Sequence, residues 1–229
     1  MPTLVAHPTL GWRPAPRATD ASRALLRCGV LAGPVYVGLA LAQALTRPGF
    51  DLRRHDISLL ANGSLGWIQI GNFVVSGLLV IAAAIGMRRV LPSGRGRTWG
   101  PLLVGLYGAC IALAGVFVAD PGAGFPSGTP AAANTMTWHG ALHLLCAAVG
   151  FLALIAACCV FAQRFAAEGR PRWAGYSAAT GAVFFVTFFG SVILSGSGVN
   201  TGLSVLGLWI AVLLGWSWLS TVSARGVAA

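Results

Sequence analysis

Two histidines, His139 and His143, stand four residues apart in an apolar run of this 229-residue chain. On a helix, residues i and i+4 project from one face, and two imidazoles so placed can hold a metal ion between them. Asp120 ends the preceding apolar run. Asp56 and Ser58 lie in the polar stretch His55-Asp56-Ile57-Ser58-Leu59-Leu60-Ala61-Asn62-Gly63. His139, His143 and Asp120 therefore form a candidate zinc site, with Asp56 as a further carboxylate. The same set suits a proton relay, or hydrolysis by a metal-activated water, or plain mutual hydrogen bonding and helix capping. Gln69, Asn72 and Ser76 follow an i, i+3, i+7 pattern on one face of another run, and Ser191 and Ser195 end a third. Polar side chains facing hydrocarbon are costly, so these groups are expected to turn inward and share one polar pocket.

Those residues are embedded in segments that cross a membrane. The composition is 56% hydrophobic and 9% charged, whereas a soluble domain carries about 25% charged residues. Six runs reach the roughly 20 residues that span a bilayer: about 26–46, 67–90, 99–119, 137–162, 173–195 and 203–222. The predicted fold is an all-α bundle of six transmembrane helices over 25–222. Residues 1–24 form an Arg- and Pro-rich tail, and 223–229 a short second one. Pro34 is expected to kink the first span, which membrane helices tolerate. Cleavage after Ala40-Leu41-Ala42, as in a signal peptide, would leave five spans, but the apolar run continues to Leu45.

Orientation follows from the basic residues, all of them Arg. Arg13, Arg17, Arg23, Arg27, Arg88, Arg89, Arg95, Arg97, Arg164, Arg170, Arg172 and Arg225 fall on the side of the N-terminus, and only Arg47, Arg53 and Arg54 fall on the other. Cytoplasmic loops carry the excess of Arg and Lys, so both termini are predicted inside and the polar pocket outside. The net charge of +10 resides in short clusters between apolar runs. This pattern suits contact with anionic lipid headgroups and argues against nucleic acid. Tryptophans at span ends, Trp67 and Trp138 outside and Trp99, Trp173, Trp216 and Trp218 inside, read as interfacial belts. Gly29-xxx-Gly33 and Gly108-xxx-Ala112 are patterns that let helices approach closely. His55 to Gly63 is expected to form a short interfacial helix stopped by Asn62-Gly63, and the small-residue loop 121–135 to lie over the outer mouth.

Three stretches resemble the signatures of a family. Ile57-Ser58-Leu59-Leu60-Ala61-Asn62-Gly63 with Gly66-Trp67-Ile68-Gln69-Ile70-Gly71-Asn72-Phe73 and Gly77-Leu78-Leu79 is the first. Gly115-Val116-Phe117-Val118-Ala119-Asp120-Pro121 with Gly124-Phe125-Pro126 is the second, and His139-Gly140-Ala141-Leu142-His143 the third. Together they resemble domain-of-unknown-function family 998, over about residues 25–222. The resemblance implies six helices and a bacterial plasma membrane, and supplies no activity. The paired histidines are also loosely similar to those of membrane-embedded metal hydrolases related to alkaline ceramidases, which have seven spans and a third histidine.

The functional expectation is a non-enzymatic binding or membrane-organising component acting through the cluster of Asp56, Ser58, Gln69, Asn72, Asp120, His139 and His143. A metal-dependent hydrolase of an outer-leaflet lipid is the first alternative. A small-solute transporter is the second, disfavoured because no span carries an Asp, Glu or Arg at its centre.

Overall fold

In the computed structural model, residues 19–131, 136–197 and 201–228 are described. They form six long helices: α1 Asp20–Thr46, α2 Gly66–Val90, α3 Trp99–Val116, α4 Trp138–Ala167, α5 Pro171–Ser197 and α6 Thr201–Ala228. A single short 3-10 turn, Ile57–Ala61, lies between α1 and α2. No strand occurs among the described residues. Each of the six helices is long and apolar enough to cross a membrane.

The helix ends depart from the hydropathy boundaries where polar caps extend the helix past the apolar run. α1 starts at Asp20, inside the stretch read as a tail. The Thr19 hydroxyl accepts from Ser22 N–H at 3.2 Å, and Asp20 places negative charge in the first turn, both favourable at a helix N-terminus. α6 likewise runs on to Ala228. α3 is shorter than expected and leaves Phe117 to Asp120 outside the helix. The turn at 57–61 stops at Asn62, followed by Gly63 in the left-handed region (φ +76°). The described part of the 1–24 tail is helical, and residues 1–18 lie outside the described set.

The helices form a closed ring in chain order. Each packs on its sequence neighbours, and α6 returns to α1. Small residues line the seams. A Cβ at Gly77 would fall 2.6 Å from both Gly108 O and Ala112 N, so α2 and α3 meet backbone to backbone. A Cβ at Gly33 would fall 2.9 Å from Trp216 O, and one at Gly226 would fall 3.2 Å from Leu26. α1 and α6 are thus antiparallel and begin and end at the same end of the ring. In lipid, dispersion and close approach replace the hydrophobic drive between helices, and such seams are its usual form.

Large apolar side chains cover the outside: Leu31, Val75, Leu102, Val186 and Leu203 are each at least half exposed. A soluble protein does not display such a belt, whereas a bilayer requires one. Trp67, Trp99 and Trp138 are 68%, 63% and 65% exposed at helix starts, as interfacial residues are. Trp216 and Trp218 are not belt residues. Both are buried in the centre of the ring, because α6 continues well past them. Trp216 stacks on Tyr36 (ring centroids 4.5 Å apart) and lies 5.6 Å from Tyr107, while the Trp218 indole N–H donates to Ser177 Oγ at 3.0 Å.

Candidate functional site

The end of the ring that carries segments 47–65 and 117–137 is roofed by a cap. Arg47, just past α1, donates to the carbonyls of Leu60 and Asn62 and lies 5.0 Å from the Phe125 ring centroid. Asn62 Nδ2 donates to Ala119 O at 3.0 Å. His55 Nδ1 accepts from Asp51 N–H at 2.8 Å, which leaves Nε2 as the protonated nitrogen donating to Ala123 O at 3.1 Å. Phe125, 2% exposed, packs edge-on against Phe50 at 5.2 Å. Trp209 of α6 donates to His55 O at 3.3 Å. Two loops distant in sequence thus interlock, and the described part of 121–135 does lie against the capped end. Residues 132–135 fall outside the described set.

The polar residues singled out from sequence separate into distinct groups rather than one pocket. Gln69, Asn72 and Ser76, all buried, face α1. Gln43 Nε2 donates to Gln69 Oε1 at 2.9 Å, Asn72 Nδ2 to Tyr36 O at 3.0 Å, and Ser76 Oγ to Asn72 Oδ1 at 3.2 Å. This is an interhelical amide ladder along the α1–α2 seam. Gln43 is its missed member, and the signal for it was present: it is the single amide side chain within the first apolar run.

Asp120 serves the start of α4. Its two oxygens accept from Thr137 N–H at 2.8 Å and Thr137 Oγ–H at 2.6 Å, and Thr137 in turn accepts from Gly140 N–H at 3.2 Å. A Cβ at Gly140 would collide with the carboxylate, so glycine there makes room for it. These hydrogen bonds from Thr137 hold the Asp120 carboxyl below its ordinary range despite a contrary contribution from burial. His139 is exposed, its ring against Trp138 at 3.6 Å.

His143 is buried, but its partners are carbonyls. Nδ1 lies 3.0 Å from Ala114 O and 2.8 Å from Phe117 O, both freed by the end of α3. The expected pairing with Asp120 does not occur, because the helix C-terminus offers its unsatisfied carbonyls first. Among the described residues, no three His, Cys, Asp or Glu side chains converge as a metal site would require. All five cysteines are free.

What His143 shares is a cavity of about 340 Å³ inside the ring, toward the capped end. Asp56 and Ser58 of the cap bound it, with Ser191 and Ser204 on α5 and α6. Trp216, Tyr36 and Tyr107 lie at its depth. Burial pushes the Asp56 carboxyl above its ordinary range, and the nearby His55 opposes this in part. No hydrogen bond among the described residues reaches the Asp56 carboxyl or His143 Nε2. Leu144 of α4 and Val192 of α5 line the cavity yet are 55% and 56% exposed on the lipid-facing side. These two residues therefore stand both at the cavity wall and at the outer surface of the ring. Its volume lies at the low end of small-molecule pockets, about 300–1,000 Å³.

Fold and site together define a multi-pass, all-helical membrane protein with an internal cavity near one end. The chain belongs to the family described as protein of unknown function (DUF998), whose profile matches residues 30–225, from α1 through α6. No curated protein and no solved structure matches it significantly.

Proposed function

We propose that this protein binds an amphipathic molecule from the membrane, holding its chain in the cavity and its polar end near Asp56, Ser58 and His143. The observation that carries this reading is a largely apolar cavity with polar groups gathered toward one end and walls that reach the lipid-facing surface at Leu144 and Val192. Described residues of the cap interlock over the end of the ring where an aqueous mouth for a soluble substrate would lie. The arginine asymmetry supports placing the capped end outside a plasma membrane. The exposed Arg88, Arg89, Arg95 and Arg97 then face anionic headgroups on the cytoplasmic leaflet.

The test is native mass spectrometry of the protein released from nanodiscs, comparing wild type with Ala147→Phe, which places a ring in the cavity. Wild type should retain an amphiphile and the variant should not. Equal retention by both would sink the reading. The unpaired His143 Nε2 also favours a second reading, hydrolysis of such a ligand. Stoichiometric zinc in the purified protein, with ester cleavage lost in His143→Asn, would establish it in place of simple binding.

A further inference from the structure

Two titratable groups that face the cavity, His143 and Asp56, can present acceptors to it. A carbonyl oxygen only accepts, so His143 Nδ1, held against Ala114 O and Phe117 O, must carry a hydrogen. In the neutral ring the lone pair is then fixed on Nε2, and this nitrogen has no hydrogen bond among the described residues although His143 is only 4% exposed. The Asp56 carboxyl, also without a hydrogen-bond partner there, accepts when ionised. The hydroxyls of Ser58, Tyr36 and Tyr107 accept or donate and do not discriminate. No arginine lines the cavity among the described residues. Arg47, a cap cation, is engaged with Leu60 O, Asn62 O and the Phe125 ring.

An anionic head entering this space would meet a lone pair and a carboxyl, with no arginine among the described lining residues. Burying an unpaired charge is among the costliest events in binding. A hydroxyl or ammonium instead finds acceptors that lack donors. We propose that the cavity selects long-chain amphiphiles whose polar end is a neutral or cationic hydrogen-bond donor, an alcohol or an amine, and rejects those ending in a carboxylate or phosphate. The inference rests on the ligand-binding reading above and adds the chemistry of the head.

The experiment uses the full-length protein in phosphatidylcholine nanodiscs and four probes of one chain length: ω-bromoundecanol, ω-bromoundecylamine, ω-bromoundecanoate and ω-bromoundecyl phosphate. Bromine quenches tryptophan on contact, and Trp209 and Trp216 line the cavity. Protein-free nanodiscs correct for partitioning, and Trp216→Phe, at the deep end where the bromine would sit, identifies the cavity signal. The alcohol and amine should quench saturably with an affinity at least about tenfold above both anions, equivalent to about 1.4 kcal/mol. His143→Asn keeps a donor for the two carbonyls and removes Nε2, and should narrow that gap. Anions binding as tightly as the alcohol would overturn the selectivity while leaving the cavity a binding site. Absence of saturable quenching by every probe would overturn the binding reading itself. Should His143→Asn fail to fold, the ranking of the four probes on wild type still decides.

Discussion

His143 and the two aspartates show how local partners decide what a polar residue does. His143 satisfies two carbonyls that the end of α3 leaves open, so His143→Ala strands both. A buried acceptor left unpaired costs about 1–3 kcal/mol, and unfolding by added dodecyl sulfate in mixed micelles should register a loss of that order. His7→Ala, in the N-terminal segment, should leave the same curve unmoved. The aspartates predict opposite responses to pH. Asp120 is held below its ordinary range, chiefly by Thr137. Its contribution is fully present at neutral pH and is lost progressively as pH falls from the usual carboxylate range near pH 4 through its depressed value. Asp120→Asn should be less stable than wild type at pH 7, with the gap closing in strong acid. Asp56 is raised by burial, so the folded state gains as pH falls from that raised value toward about 4 and loses as pH rises through it. Asp56→Asn should be the more stable protein at pH 7 and lose its advantage on acidification. A pH-independent difference from wild type would contradict the assignment.

At the scale of helices, seam glycines and lipid-facing glycines within α2 make opposite predictions. Gly77 has no room for a Cβ against the α3 backbone, whereas one at Gly71 would meet nothing within 4 Å. Gly77→Leu should destabilise by about 1–3 kcal/mol or more, as overpacking does, and Gly71→Leu by less than about 0.5 kcal/mol, like most exposed changes. Equal effects in the same unfolding assay would mean that α2 is rotated relative to α3. Much of this level was legible beforehand. Hydropathy located six helices, and Gly108-xxx-Ala112 and Gly29-xxx-Gly33 mark seams that exist. The legible features share one property: they repeat with the helical period or depend on near neighbours. The short turn and the covering loop were legible, but the pairings that join them were not, because Arg47 reaches Phe125 and Asn62 reaches Ala119 across tens of residues, and no local pattern encodes those pairings. For the same reason Gln69 and Asn72 were placed on the correct face of α2 but assigned to the wrong neighbour. Periodicity gives the face, and only the packing says that α1, with Gln43, covers it. The missing Asp120–His143 contact has a related cause. Proximity along the chain was readable, but the competing carbonyls at the end of α3 depended on where that helix stopped.

For the molecule as a whole, the arginine distribution predicts the direction of insertion. In a background without native cysteines, Gly94→Cys should react with a membrane-impermeant maleimide only after the cell is opened, and Gly128→Cys in intact cells; both glycines have open space around a Cβ. Reaction of position 94 from outside would invert the proposed topology and place the cavity at the other face. The arginines on that side are not equivalent. Arg164 is buried, donates to Arg95 O at 2.8 Å and pairs with Glu168 at 2.8 Å, so it fastens the α2–α3 connection to α4. Arg164→Ala should therefore cost stability, whereas Arg88→Ala and Arg89→Ala should weaken only the attraction to anionic vesicles.

The closed ring has a consequence for how the gene may be cut. α1 and α6 are antiparallel neighbours whose free ends meet at the arginine end, so a short linker between them would cross no bilayer. Opening the chain instead at residues 92–97, also at that end, would give a permuted polypeptide running α3 to α6 and then α1 to α2. Every helix would keep its direction and both its partners. The order of helices in this protein is cyclic, and no span is structurally the first.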